Sequence, residues 1–228
     1  MPPTVGDKRM KIWFISDTHN MHPWLRVPEA DMVIHCGDES THGNPALNEP
    51  EARRFFDWFS ALEIETKVFI PGNHSTAVAT GLIQPDDYPE VRFLIHESLQ
   101  CHGLKLFGSP YTPRFHDWAY MKKRAQLDQV WQSVPDDVDI LITHGPPKGI
   151  LDLAHDSESK ALIQVGCTAL RRHVEERIRP QIHAFGHLHD EKDICNYGIF
   201  SRGATRFINA ACCNLAAKLK HHGFVIQL

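Results

Sequence analysis

The sequence predicts an α/β domain in which two β-sheets pack face to face with helices outside. Short apolar runs rich in β-branched and aromatic residues recur along the chain, and each of five is followed at once by a polar turn bearing glycine or histidine. Runs of nearly continuous apolar character suit strands buried on both faces. In open α/β sheets, ligands bind in the loops at the carboxyl ends of such strands, so five loops of this kind can converge on one crevice. No repeat, low-complexity tract or Ser/Gly linker interrupts the 228 residues, so residues 1–228 read as one domain with a sizeable core.

In chain order, residues 11–15 run into Ser16-Asp17-Thr18-His19, residues 32–36 into Gly37-Asp38, and residues 67–70 into Pro71-Gly72-Asn73-His74. Residues 138–142 then run into Thr143-His144-Gly145-Pro146, and residues 181–185 into Gly186-His187-Leu188-His189. Helices are expected between them. Residues 51–62 follow Pro50, a good first-turn residue, and carry Phe55, Phe56, Phe59 and Leu62 at helical spacing. Residues 117–131 and 168–178 read similarly, the second stopped by Pro180. Short strands are expected at 91–95, 104–107, 193–200, 205–210 and 224–228.

An apolar fraction of 42% and a charged fraction of 23% exclude disordered and fibrous classes. A net charge of −4 argues against a long basic track for nucleic acid. Residues 1–10 lack the apolar core of a signal peptide and no run approaches a membrane span, so no membrane partner is expected. The six cysteines form no CxxC pair, and a chain of this size needs no disulfide framework, which points to a reducing, cytoplasmic setting. Sixteen histidines are the unusual feature, because imidazole is the commonest metal ligand.

Taken singly, the motifs say little. Asp17-x-His19 and His187-x-His189 each put two ligand-type side chains on one side of an extended segment, but a capping aspartate and a surface histidine explain most such pairs. Gly37-Asp38 alone reads as a turn, and Asn73-His74 as a loop. Five together, each after its own buried strand, read as one site.

The ordered set DxH, GD, GNH, H and GHxH, spanning Asp17 to His189, resembles the calcineurin-like metallophosphoesterase superfamily. The flanking segments at 15–19, 108–111, 142–147, 185–189 and 208–210 are similar to its metallophosphoesterase-domain branch. That resemblance implies a four-layer αββα sandwich of two mixed β-sheets flanked by helices, and phosphodiesterase activity. It implies that Asp17, His19 and His189 bind one metal ion, that Asn73, His144 and His187 bind a second, and that Asp38 bridges both. His74 matches the catalytic histidine rather than a ligand.

Oxygen and imidazole ligands without thiolate suit two divalent ions, Mn²⁺ or alternatively Fe or Zn²⁺. One shared carboxylate holds such ions about 3.5–4 Å apart, where they activate a bridging water as hydroxide. His74 would stabilise charge on phosphorus oxygens and protonate the leaving alkoxide. Two departures from the superfamily bear on substrate. Protein phosphatases continue GDxxDRG, where Thr41 and His42 replace the acid and arginine here, and Ser75 stands where many relatives carry an acid. The first disfavours a protein phosphatase and the second is expected to tune the site; the partner that the resemblance implies is a small, nucleotide-like phosphodiester, with a phosphomonoesterase, a nuclease and a protein-interaction scaffold as alternatives.

Further residues carry weaker expectations. His35 and His183 read as core, and His221 and His222 as surface. His22, His42 and His116 lie in loops that can approach the site. Arg114, Lys148 and Arg202 are candidate phosphate clamps; Tyr111, Phe115 and Trp118 read either as a stacking surface or as a packed aromatic loop. Cys212 and Cys213 are expected to be buried, and Asn209 to order the site from behind.

Overall fold

The computed structural model describes residues 9–228, so most of the N-terminal segment read above for targeting lies outside the described residues. One sheet takes the order β15-β1-β2-β3-β4. Its strands β1 (Lys11–Ile15), β2 (Met32–His35), β3 (Thr66–Phe69) and β4 (Val91–Phe93) are parallel, with β15 (Phe224–Gln227) antiparallel at the edge. The other takes the order β13-β14-β12-β9-β6-β5. Here β6 (Leu104–Ser109), β9 (Ile140–Thr143), β12 (Ile182–Phe185) and β14 (Thr205–Asn209) are parallel; β5 (Glu97–Cys101) and β13 (Gly198–Arg202) are antiparallel at the edges. Both sheets are thus mixed. Two small ribbons complete the strands, β7 (Thr112–Pro113) with β8 (Met121–Lys122) and β10 (Leu153–His155) with β11 (Leu162–Gln164).

The period-two alternation of each strand divides its side chains between two cores. Ile12 and Phe14 of β1 and Met32 and Ile34 of β2 face the second sheet, meeting Ile140, Ile142, Ile182 and Ile208 in the central layer. Trp13, Ile15, Val33 and Phe69 face outward onto α1 (Pro45–Ser60), through Phe55, Phe56 and Phe59. On the opposite side, Leu141, Phe185 and Phe207 pack against Leu127 and Trp131 of α3 (Arg124–Gln132) and Leu170 of α4 (Thr168–His173). A short α2 (Thr76–Ala79) joins α1 on the first face. Interior strands covered on both faces give the αββα order.

Several element boundaries differ from expectation. The first helix begins at Pro45 rather than residue 51, because Asn44 caps it by accepting from the Ala46 N–H at 3.0 Å. Pro50 then lies inside the helix. The helix expected over 117–131 starts only at Arg124. Residues 117–123 instead turn through Tyr120, at φ 56°, and β8 runs beside β7, with Arg114 N–H donating to Lys122 O at 2.8 Å. The strand expected over 193–200 is Gly198–Arg202; Asp193, at φ 64°, belongs to the preceding turn. The expected 168–178 helix widens into a π-helical turn over Val174–Ile178 and ends with Arg179 in the left-handed region. β5, β10 and β11 had no sequence signal, since their residues are largely exposed and lack an apolar run.

Candidate metal centre

The loops after β1, β2 and β3 of the first sheet meet those after β9 and β12 of the second, at the carboxyl ends of both. Asp17 N–H donates to Gly37 O at 2.8 Å and His19 N–H to Asp38 O at 3.2 Å, joining the first two loops. Asp38 Oδ1 accepts the His74 N–H at 2.7 Å, and Asp17 Oδ2 accepts the His187 N–H at 2.8 Å. Each carboxylate therefore spends one oxygen on holding a neighbouring loop. The approach is tight: a Cβ on Gly37 would lie 2.5 Å from His144 Nδ1, and φ 105° there already demands glycine. Asp17, His19, Asp38 and His187 also adopt positive φ, between 41° and 69°. Non-glycine residues in that region cost about 1–3 kcal/mol each and cluster where function holds them.

The histidine rings are oriented from behind. Nδ1 of His19 donates to Ser40 O at 2.8 Å, that of His144 to Cys36 O at 2.9 Å, and that of His189 to Cys213 O at 2.8 Å. A carbonyl oxygen only accepts, so each Nδ1 carries a proton, and each ring, when neutral, turns its Nε2 lone pair inward. There, acceptor faces acceptor. His19 Nε2 stands 3.4 Å from His189 Nε2, and Asp17 Oδ1 lies 3.5 Å from His189 Nε2. That Asp17 oxygen is buried without a hydrogen-bond partner. On the other side, His144 Nε2 is 3.0 Å from Asn73 Oδ1 and 3.3 Å from Asp38 Oδ2.

The donor atoms of Asp17, His19 and His189 all lie within 4.8 Å of one another, as do those of Asp38, His144 and His187. A cation relieves such an arrangement, and hard oxygens with imidazoles fit a divalent metal ion. The charge state agrees. Burial lowers the His19 pKa to about 4, against the pull of Asp38, and burial with His144 nearby holds His187 well below its ordinary value. Burial opposes charge on His144 as well, but Asp38 beside it raises that ring to about 9. A proton is one cation that satisfies the His144–Asp38 pair; a metal ion is another.

His74 stands at the rim, half-buried, with its ring edge-to-face against Trp118 at 4.0 Å between centroids and against His19 at 5.0 Å. Its Nδ1 donates to Thr41 O at 2.7 Å. The Thr41 turn is itself held by Glu51 of α1, whose Oε2 accepts the N–H groups of Thr41 and His42 at 2.8 and 3.1 Å. Asn48 donates to His74 O at 2.7 Å and accepts from Ala77 N–H. Ser75 joins this network, donating to Glu39 Oε2 at 2.5 Å and accepting from Gly72 N–H at 2.8 Å. Glu39 is wholly buried, and burial raises its pKa to about 7. Glu39, Asn48 and Glu51 went unrecognised in the sequence: Glu39 adjoins a motif, whereas nothing local marks the other two.

Asn209 sits behind the His187–His189 loop, donating to Leu188 O at 3.0 Å. Phe115 packs 5.6 Å from the His187 ring, with His116 beside it. The expectation for His22 is corrected. His22 does not approach the centre; it is buried against Phe55 and Trp58, 5.5 and 5.2 Å away. His42 pairs with Glu51 at 3.7 Å, and Tyr111 lies under the Lys122 ammonium. Arg202 pairs with Glu175 and Arg114 with Asp117, while Lys148 contributes its carbonyl to Arg171. His221 is only half-exposed, donating to Asp190 at 2.8 Å and stacked on Tyr197. His35 and His183 are core residues, Cys212 and Cys213 are buried, and all six cysteines are free thiols. Among the described residues, no helix is long and apolar enough to cross a membrane.

Known proteins resemble this chain in sequence and in fold. The profile of the calcineurin-like phosphoesterase family matches residues 10–191. Human metallophosphoesterase domain-containing protein 1 is 31% identical over 239 residues, covering 94% of this chain and 69% of its own length. UPF0046 protein K07C11.7 of Caenorhabditis elegans is 32% identical, covering 100% of this chain and 78% of its own. Among solved structures, the phosphopantetheinyl hydrolase of Mycobacterium tuberculosis superposes with a TM-score of 0.61 at 14% identity, covering 97% of this chain and 96% of that one, a likeness of fold. With the motif loops inside the matched region, the chain belongs to the calcineurin-like phosphoesterase family, whose members hydrolyse phosphoesters with divalent metal ions.

Proposed function

We propose that the protein is a dinuclear metal-dependent phosphodiesterase acting on small, nucleotide-like diesters. The observation that carries this reading is the pair of inward-facing ligand groups, Asp17, His19 and His189 in one and Asp38, His144 and His187 in the other, each with its donor atoms within 4.8 Å of one another. Asp17, His19 and His189 would hold one ion, and Asn73, His144 and His187 the other, with Asp38 shared. Asn73 brings an oxygen without charge, which leaves the loaded centre positive enough to draw an anion. Mn²⁺ is the proposed metal, with Fe and Zn²⁺ compatible with the same ligands.

When bound, the ions supply Lewis acidity and a nucleophile at neutral pH. The chain supplies the rest. Backbone carbonyls accept from Nδ1 of His19, His144 and His189, so in each ring Nε2 is the nitrogen turned toward the proposed metal position. His74, with Nδ1 committed to Thr41 O, keeps Nε2 for a proton exchanged with the departing alkoxide. Trp118 fixes the plane of that ring.

Diesters are favoured over monoesters by charge. The groups acting most strongly on His19, Asp38, His144 and His187 are one another and the neighbouring Asp17 and His residues, with no lysine or arginine among them. A monoester dianion asks for more compensation than a diester monoanion. A small phosphoester acted on in the cytosol, with residues 1–228 as one catalytic unit, completes the reading. Mn²⁺-loaded protein assayed against matched aryl monoesters, aryl diesters and cyclic nucleotides tests it. Diesters should turn over fastest; faster monoester cleavage refutes the substrate class, and inertness toward all of them refutes the enzyme.

A further inference from the structure

Beside the metal centre, a cavity of about 460 Å³ opens next to His187 and Leu188, within the size range of small-ligand sites. Its walls come from the 113–116 loop, the β10–β11 ribbon, residues 165–166 and Leu215. Phe115, Ile163 and Leu215 are 56%, 39% and 67% exposed, three large apolar side chains left facing one space. Such a grouping is the mark of a surface that covers something apolar.

Arg124 lies on the same wall. Its guanidinium donates to Gly166 O at 3.0 Å and Val165 O at 2.7 Å, and among the described residues no carboxylate stands within ion-pair reach of it. Those two carbonyls are fixed in turn. Cys167 N–H donates to Pro146 O at 3.0 Å, Lys148 N–H to Cys167 O at 3.1 Å, and Gly166 N–H to Asp152 Oδ2 at 3.0 Å. The positive charge is therefore held in place without being neutralised, which is how a binding group is prepared in advance. Arg114 differs, being paired with Asp117. The one acid on the wall, Asp156, makes no ion pair with Arg124 among the described residues, and its Oδ1 accepts from the N–H and hydroxyl of Ser159, both at 2.8 Å.

We propose that this cavity receives the organic arm of the phosphoester substrate, and selects a flat apolar ring that carries an anionic group, carboxylate or phosphate, to Arg124. The proposal rests on the phosphodiesterase reading above for the position of the phosphorus, at His187. The ring lies against Phe115 and Ile163; the anion takes the guanidinium edge left free by the 165–166 carbonyls.

The test uses Mn²⁺-loaded protein and methyl aryl phosphodiesters with a para carboxylate, a para phosphonate or a neutral para carboxamide on the ring. Both anionic arms should show a KM about tenfold below that of the carboxamide, the size of one charge-assisted contact. Arg124→Gln should bring the ratio to about one, and Ile163→Glu, at an exposed wall position, should reverse it. Equal KM values in the parent, or a preference that survives Arg124→Gln, overturns the proposal. Calorimetric titration with 4-carboxybenzylphosphonate and its carboxamide, neither of which can be hydrolysed, reads the same preference without turnover. If every ester proves inert but the titration shows the tenfold difference, the phosphodiesterase reading fails and the cavity assignment stands; a titration without preference overturns the assignment as well.

Discussion

Asp17 Oδ2 accepts the backbone N–H of His187 at 2.8 Å, across 170 residues of chain, and so ties the end of β1 in one sheet to the end of β12 in the other. The second oxygen of the same carboxylate is buried and unpartnered, facing His189 Nε2. One side chain thus serves both the joint between sheets and the candidate metal site. The two roles separate by substitution. Asp17→Asn keeps an acceptor for His187 but loses the charge, so the metal-free protein should unfold within about 1 kcal/mol of the parent while binding one fewer Mn²⁺ per chain by elemental analysis. Asp17→Ala should lose both. Full metal stoichiometry in Asp17→Asn would remove Asp17 from the ligand set.

Asp38 belongs to the second ligand group and acts electrostatically on His19 of the first, so, as the proposed bridging carboxylate, its loss in Asp38→Ala is expected to abolish binding at both positions. Calorimetric titration with Mn²⁺ should then show no saturable site in the micromolar range, whereas His189→Ala should retain one.

His74 stands apart from the ligands, its ring held by Thr41 O and Trp118. His74→Gln should keep both metals and lose about 10²–10⁴ in kcat. Glu51→Ala frees the Thr41 turn without touching the centre. We expect roughly a tenfold loss in kcat with metal content intact; rescue by Glu51→Gln, which still offers an acceptor, distinguishes positioning from general damage to α1.

Buried neutral histidines away from the centre make the fold acid-sensitive. His183 Nε2 donates to Thr143 Oγ1 at 2.8 Å, since that hydroxyl donates onward to Gly145 O, and its Nδ1 has no partner. Burial lowers the His183 pKa to about 3, and burial lowers that of His22 to about 4. The unfolded chain takes up these protons near pH 6.5 and the folded chain does not, so stability is full above that pH and falls as pH drops toward the folded values. Each histidine contributes a slope of up to about 1.4 kcal/mol per pH unit. Urea unfolding of metal-free protein at pH 7.5 and 5.5 should show a loss of about 1–3 kcal/mol, and His183→Asn should flatten the dependence.

Phe55 is fully buried at the meeting point of α1 and the first sheet, packed on His35, Phe56, Phe59 and Phe69. Phe55→Ala should cost about 3–5 kcal/mol, read as a lower urea midpoint with an unchanged slope. A loss under 1 kcal/mol would mean that the aromatic cluster repacks around the gap.

Strand-then-turn patterning was local, and the chain stated it openly. An apolar run such as residues 11–15 must be buried on both faces, and the polar Asp17 and His19 that follow must stand at its end, because burial energy and backbone geometry act over a few residues. Edge strands such as Glu97–Cys101 carry no such signature; they form because β6 offers them an open row of hydrogen-bonding groups. The same holds for the true start of α3, which depends on residues 117–123 being drawn off to pair beside β7. Likewise, nothing near Asn48 or Glu51 in the chain announces that α1 will deliver them behind His74. By itself, then, the sequence determined which side chains end each buried strand and the chemistry they offer. Only the tertiary structure decided which atom of each faces inward, which histidines face the core instead, and that Arg124 stands unpaired on a cavity wall. Those outcomes depend on contacts between segments far apart in the chain, and no local propensity encodes them.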